Sequence, residues 1–254
     1  MKYTILTNKK NKINIEFSKK LKVILKKHTY VKKGFDYAFI IGGDGTFLSF
    51  AQNLLDKPVK VVFINSGKLG FYSYINDPKK LLEEEVFSDK YYINIDVLNV
   101  QYKKKIYQCI NDFSLYSNYT AHIKTFINDV NLQSFHGNGV LVATPFGSTA
   151  RNKSLKGAIM LPNTELLSIM EIEPINNRFY SSLNSPIIFK NNNKIKVEST
   201  CFKKWWMLLD GRQLEFSDEK AMIDIWHTKS KCQILIKIND SDWIRKLNYA
   251  FITK

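Results

Sequence analysis

A chain of 254 residues with 44% hydrophobic and 13% aromatic content can bury a large core, as one large domain or two modest ones. It holds no apolar run of bilayer length, and Met1 to Lys10 lacks the apolar stretch of a secretion signal, so a cytoplasmic protein with no membrane partner is expected. The formal charge of +15 is scattered over short groups such as Lys19-Lys20, Lys103-Lys104-Lys105 and Lys203-Lys204, which argues for a solvated basic surface and against a nucleic-acid face.

Tyr3 to Thr7 reads as a first strand, and Ser18 to His28 as a helix with Leu21, Ile24, Leu25 and His28 on one stripe. The run Tyr37 to Ile41 has no polar alternation, as in a strand buried on both faces. Phe47, Leu48, Ala51, Leu54 and Leu55 then return at helical spacing, so the chain turns from strand into helix through Gly42-Gly43-Asp44-Gly45-Thr46. Val59 to Asn65 is a second buried strand. Strand, helix and strand with short links imply a parallel sheet, whose ligands bind beyond the strand C-termini.

The three glycines of that turn remove three Cβ atoms, permitting positive φ and close approach of a phosphate or sugar to the main chain. The helix start adds free N–H groups and partial positive charge. An acid in such a site is electrostatically costly, so Asp44 points to a compensating role: accepting a proton or holding a metal-bound water. The competing reading is a tight connection in which Asp44 is solvated and Thr46 caps the helix. No Gly-Lys-Ser/Thr follows, and Leu48 stands where a dinucleotide fingerprint has its third glycine.

The loop Asn65 to Tyr72 combines glycines with aromatic residues, suited to a base ring or to core packing. Asp77-Pro78 makes a helix start, with Leu81, Leu82 and Val86 as its apolar face. From Tyr91 onward the texture becomes β-rich, with short runs at Tyr91 to Val100, Ile106 to Tyr116, His122 to Asn128, Val140 to Ala143, Ile187 to Phe189, Lys194 to Glu198, Trp205 to Leu209, Ala221 to Trp226 and Gln233 to Ile238. Ser241 to Ile252 regains helical spacing. The expected organisation is therefore an α/β domain with a parallel, Rossmann-like sheet (residues 1–90 plus 239–254) and an all-β domain (91–238), the C-terminal helix returning to the first.

In Gly137 to Ser154 a strand leads through Pro145 and Gly147 to Ser148-Thr149, where hydroxyls and N–H groups can grip a ribose or phosphate, or simply cap a helix. Asn111-Asp112 reads as a sugar clamp or a turn. Cys109, Cys201 and Cys232 show neither disulfide nor zinc spacing, and His28, His122, His136 and His227 form no metal or triad signature; both sets read as core or surface residues.

Gly42 to Thr46, Leu69-Gly70-Phe71-Tyr72, Asn111-Asp112, the Gly139 to Ser154 run, Ile175-Asn176-Asn177-Arg178 and Ser185-Pro186 occur in an order that resembles the NAD kinase family over nearly the whole chain. The resemblance implies an α/β domain followed by a β-sandwich, and transfer of phosphate from ATP, accompanied by Mg²⁺, to the adenosine 2′-hydroxyl of NAD. It makes Asp44 the base and Gly42, Gly43, Gly45 and Thr46 the phosphate pocket, with Phe71 against adenine. Asn111 and Asp112 would hold sugar hydroxyls, while Asn138, Thr149, Ala150, Arg151, Asn152, Lys153 and Ser154 would line the dinucleotide. Ile175 and Tyr180 would reach the nicotinamide end of a site shared between subunits of a homodimer or homotetramer. Asn138 replaces the family's usual Asp, Ala143 and Phe146 its usual Ser or Thr, and Arg151 its usual Tyr. A lipid kinase sharing the glycine loop and a non-catalytic dinucleotide-binding protein are the alternatives.

Overall fold

A computed structural model describes residues 1–253 apart from 74, 82, 201–203, 238 and 239. Leu82, Cys201, Lys203 and Ile238, named above, lie outside the described residues. In chain order the elements are β1 (Lys2–Thr7), α1 (Lys12–Ile24), β2 (Thr29–Tyr30), β3 (Tyr37–Gly42), α2 (Asp44–Ala51), β4 (Lys60–Asn65), α3 (Glu83–Val86), β5 (Tyr92–Tyr102), β6 (Lys105–Cys109), β7 (Asp112–Ile127), β8 (Val130–Ala143), α4 (Arg151–Ser154), β9 (Leu166–Ile172), β10 (Ile187–Lys190), β11 (Ile195–Thr200), β12 (Trp205–Leu209), β13 (Arg212–Phe216), β14 (Lys220–Leu235) and α5 (Asp240–Phe251). They form two compact units, Met1–Ile95 with Ser230–Lys254, and Asp96–Lys229. The second unit is narrower than the expected 91–238, because Tyr92 packs in the first core and the Ile236 N–H donates to Tyr91 O.

In the first unit β4, β3, β1 and β2 run parallel, with Gln233 and Ile234 of β14 parallel to β4. Every residue of β3 is buried, as its unbroken apolar run requires. The first helix begins well before Ser18. Asn11 caps it by accepting from the Ile13 and Asn14 N–H groups, and it ends before His28, whose N–H turns back to Leu25 O. Leu21 and Leu25 are fully buried under it, each contributing about 2 kcal/mol. The expected Asp77 to Val86 helix is divided: Asp77 caps a 3₁₀ turn over Pro78–Lys80, and α3 follows.

In the second unit the antiparallel order is β10, β9, β8, β7, β11 and β14, with β12 on the other half of β7 and β13 beyond it. Its strands pack on a large apolar core including Leu98, Phe113, Ile123, Phe135, Val142, Ile169, Val197, Trp205 and Ile223, with a smaller cluster of Leu141, Ala143, Met170 and Ile172 beside β8 and β9. Ile106 to Tyr116 is broken at Ile110-Asn111, and the expected His122 to Asn128 run belongs to β7 as far as Ile127, β7 continuing through an irregularity between Tyr116 and Ala121. Val140 to Ala143 is the end of the long β8. Ala221 to Trp226 and the start of the Gln233 run form one strand, while β9 and β13 were not among the expected runs. No helix among the described residues is long and apolar enough to cross a membrane.

Candidate active site

The first cluster forms where β3 meets α2. Gly43 is the N-cap, at φ −91° and ψ 178°, with no side-chain cap, so the first N–H groups of α2 have no capping side chain. None of the three glycines has positive φ, which corrects the conformational expectation. A Cβ on Gly42 would lie 2.5 Å from Thr46 Cβ, whereas Gly43 and Gly45 face open space. Gly42 is thus needed for packing, and the other two leave the main chain approachable. Thr46 lies inside the helix, its N–H bonded to Gly43 O at 2.9 Å, and does not cap it.

Asp44 is half-buried and tied to the loop after β4. Its carboxylate accepts from the Phe71 N–H at 3.1 Å and, more weakly, from the Tyr72 N–H at 3.5 Å. Burial raises its pKa, against the lowering effect of those N–H groups and of Lys246 on α5. Gly70 makes this contact possible: it has φ +76°, and a Cβ there would strike the Asn65 side chain at 2.5 Å. The Phe71 ring, expected against adenine, is instead stacked on Phe251 at 5.4 Å and edge-on to Trp243 at 5.8 Å. Asp44, Gly43, Gly45, Thr46 and Phe71 are therefore gathered in the first unit.

The second cluster surrounds Asn111 and Asp112, both buried at the start of β7 rather than in a turn. The Asp210 carboxylate accepts three successive N–H groups, from Ile110 at 2.8 Å, Asn111 at 2.6 Å and Asp112 at 3.4 Å. From the opposite direction Thr144 Oγ1 donates to Ile110 O at 2.6 Å, and Gly147 packs so tightly that a Cβ would lie 2.0 Å from Asn111 O. This brace aims the Asn111-Asp112 pair. Burial and the neighbouring Asp210 push the Asp112 carboxyl up to about 7, while Arg151 pulls it down. The Arg151 guanidinium also lies 5.9 Å from the centre of the Tyr116 ring.

The remaining expected residues divide by burial. Asn152 is fully buried and internal, donating to Ser148 O and Ala158 O and accepting from Ser168 Oγ, so it holds the turn and is not open to a ligand. Ser148 is likewise spent, its hydroxyl within bonding distance of Pro145 O and Met160 O. Thr149, Ala150, Arg151 and Lys153 are half-buried, and Ser154 is exposed on a pocket of about 500 Å³ shared with Lys156, Glu171 and Glu173. Ala143 and Phe146 are core residues, so their departures remove no exposed hydroxyl. Gly139 lets β8 pass β7, since a Cβ would fall 2.0 Å from Leu115 O. Beside it the Asn138 side chain donates to the Glu173 carboxylate. The Ile175 N–H donates to His136 O at 2.7 Å, and the Tyr180 ring rests 4.2 Å from His136.

Asp210, Thr144, Glu173 and Lys246 are the contributors that sequence reasoning missed. The Asp210-Gly211 pair, at φ +50° and +80°, carries a local hairpin-turn signal, but nothing in it indicates that the carboxylate reaches residues 110–112. Among the described residues no group of three or more His, Cys, Asp or Glu side chains is gathered for a metal.

Two family descriptions match the chain: ATP-NAD kinase N-terminal domain over residues 2–85 and ATP-NAD kinase C-terminal domain over residues 99–237. A Ureaplasma parvum protein named NAD kinase is 36% identical over 223 residues, covering 87% of this chain and 83% of its own length. A Mycoplasma genitalium NAD kinase is 32% identical over 240 residues, 92% of each chain. In fold, the chain is similar to yeast NADH kinase complexed with NADH, with TM-score 0.82, 20% identity and coverage of 100% of this chain and 88% of the other. It is also similar to an NAD kinase from Archaeoglobus fulgidus in complex with ATP, with TM-score 0.76, 19% identity and coverage of 97% and 99%.

Proposed function

This chain belongs to the NAD kinase family, and we propose that it transfers the γ-phosphoryl group of ATP to the 2′-hydroxyl of the adenosine ribose of NAD, giving NADP and ADP. The observation that carries the catalytic assignment is the Asp44 carboxylate, held by two peptide N–H groups at the start of α2 beside the open faces of Gly43 and Gly45. Asp44 accepts the proton of the 2′-hydroxyl as that oxygen bonds to the γ-phosphorus and the bond to the ADP oxygen breaks. Its raised pKa makes it a better base than a solvated carboxylate.

The phosphates of ATP lie over Gly43 and Gly45, where the N–H groups of the α2 terminus face an anion. With ATP entering as its magnesium complex, the ion would neutralise part of the phosphate charge as part of the substrate. Asn111 and Asp112 hold sugar hydroxyls of NAD. Thr149, Ala150, Lys153 and Ser154 line the dinucleotide, and Arg151 meets a phosphate or stacks on a base. Asn152 acts from behind by fixing the turn they stand on.

The same reading makes the protein a cytoplasmic homo-oligomer, with Ile175 and Tyr180 serving the nicotinamide end in a neighbouring subunit. Support comes from Phe179, which is 84% exposed, with Leu183 and Ile188 also exposed on the same segment. The test is direct: purified protein is incubated with Mg-ATP and NAD, and NADP is read by a coupled dehydrogenase. Steady formation of NADP is expected; NAD binding without any NADP would assign the chain to a non-catalytic role.

A further inference from the structure

Lys246 projects from α5 onto the loop that holds Asp44. Its ammonium donates to Phe71 O at 3.2 Å and to Ser73 O. The Phe71 backbone is thus held on both sides, its N–H on Asp44 and its carbonyl, in the same peptide group as the Tyr72 N–H, on Lys246. Trp243, 5% exposed, and Phe251 clasp the Phe71 ring from the same helix. Among the described residues Lys246 is the charged side chain that acts on Asp44, and Asp242 is the second acid acting on Lys246. Lys68, on the neighbouring loop, is exposed.

We propose that Lys246 is a positioning residue for the phosphoryl transfer: through the Phe71 backbone and through its charge, the C-terminal helix sets the orientation and the basicity of Asp44. This rests on the assignment of Asp44 as the base. Two couplings combine. The hydrogen bonds fix where the Phe71 and Tyr72 N–H groups point, and so where the carboxylate points. The ammonium also favours the ionised carboxylate, offsetting the burial that disfavours it. Burial lowers the Lys246 pKa to about 8, so the cation is present at neutral pH and is lost as the solution becomes alkaline.

The experiment uses the full chain as wild type, Lys246→Arg, Lys246→Gln and Lys246→Met, with Tm measured for each. The pH profile of kcat is recorded with Mg-ATP and NAD. The Asp44 carboxyl is titrated separately by ¹³C NMR, assigned by its absence in Asp44→Asn. With the charge removed, the Asp44 titration and the acid limb of kcat should move upward by about one pH unit. In Lys246→Met, kcat at pH 7 should fall about 10- to 100-fold with KM for NAD changed less than about threefold. Gln retains an amide donor for the carbonyls and should lose less in kcat, and Arg should restore most of both. An Asp44 titration identical in wild type and Lys246→Gln would overturn the proposal, as would a wild-type kcat in Lys246→Met. If Met does not fold, the Gln and Arg variants decide. A wild type that makes no NADP contradicts the kinase reading instead, and the NMR comparison still tests the coupling.

Discussion

Asp112→Asn should stabilise this protein above neutral pH while weakening it as an enzyme. The folded carboxyl titrates at about 7 against an ordinary 3.8, because it is buried and shares its surroundings with Asp210. Between those values the folded chain binds a proton that the unfolded chain has already released. Stability from this group is therefore full below about pH 4 and is lost as pH rises through 7. At 1.36 kcal/mol per pH unit, the gap corresponds to about 4 kcal/mol above pH 7, and relaxation around the charge reduces this to about 2–4 kcal/mol. Asparagine carries no charge to bury. At pH 8 its Tm should exceed the wild-type value by about 5–10 °C, and at pH 5 the two should agree within a few degrees. Circular-dichroism melts at pH 5, 6.5 and 8 read this directly. An Asn variant no more stable than wild type at pH 8, or a difference independent of pH, would refute the reasoning.

Gly43→Ala and Gly42→Ala should separate binding from folding. The first has room for its methyl and should keep its Tm while raising KM for ATP about tenfold; the second meets Thr46 and should cost about 1–3 kcal/mol in a denaturant melt. Gly147→Ala drives a methyl into Asn111 O, so it should destabilise by about 3 kcal/mol and raise KM for NAD, read by urea titration and initial rates. Asn138→Asp sets two carboxylates against each other at Glu173 and should weaken NAD binding several-fold, a loss that adding Glu173→Gln should reverse; calorimetric titration checks both.

The glycine turn was legible because an apolar run, a Gly-rich break and a helical stripe are all local features. The α/β and β-rich halves followed from the same periodicities. What stayed hidden depends on distant partners. Asn11 caps α1 ahead of Ile13, Ile15 and Phe17, whose two-residue spacing does not continue the helical stripe, so the stripe alone placed the start at Ser18. The irregularity in β7 split one strand into two expected runs, because a bulge interrupts alternation without ending the strand. Phe71 resembles a base platform in sequence, yet the aromatic residues of α5 occupy its ring. Asn152 and Ser148 look like ligand donors until their bonds to Ala158 and Met160 are seen. Asp210 and Lys246 illustrate the same limit: one steadies Asn111-Asp112 and the other reaches the Asp44 loop, each from far along the chain.

The most direct test of the account is the rate of NADP formation by Asp44→Asn with saturating Mg-ATP and NAD, alongside NAD affinity measured by calorimetry. Loss of the base should lower kcat by about 10²- to 10⁴-fold while NAD binds within a few-fold of wild type. Turnover close to the wild-type rate would contradict the role given to Asp44.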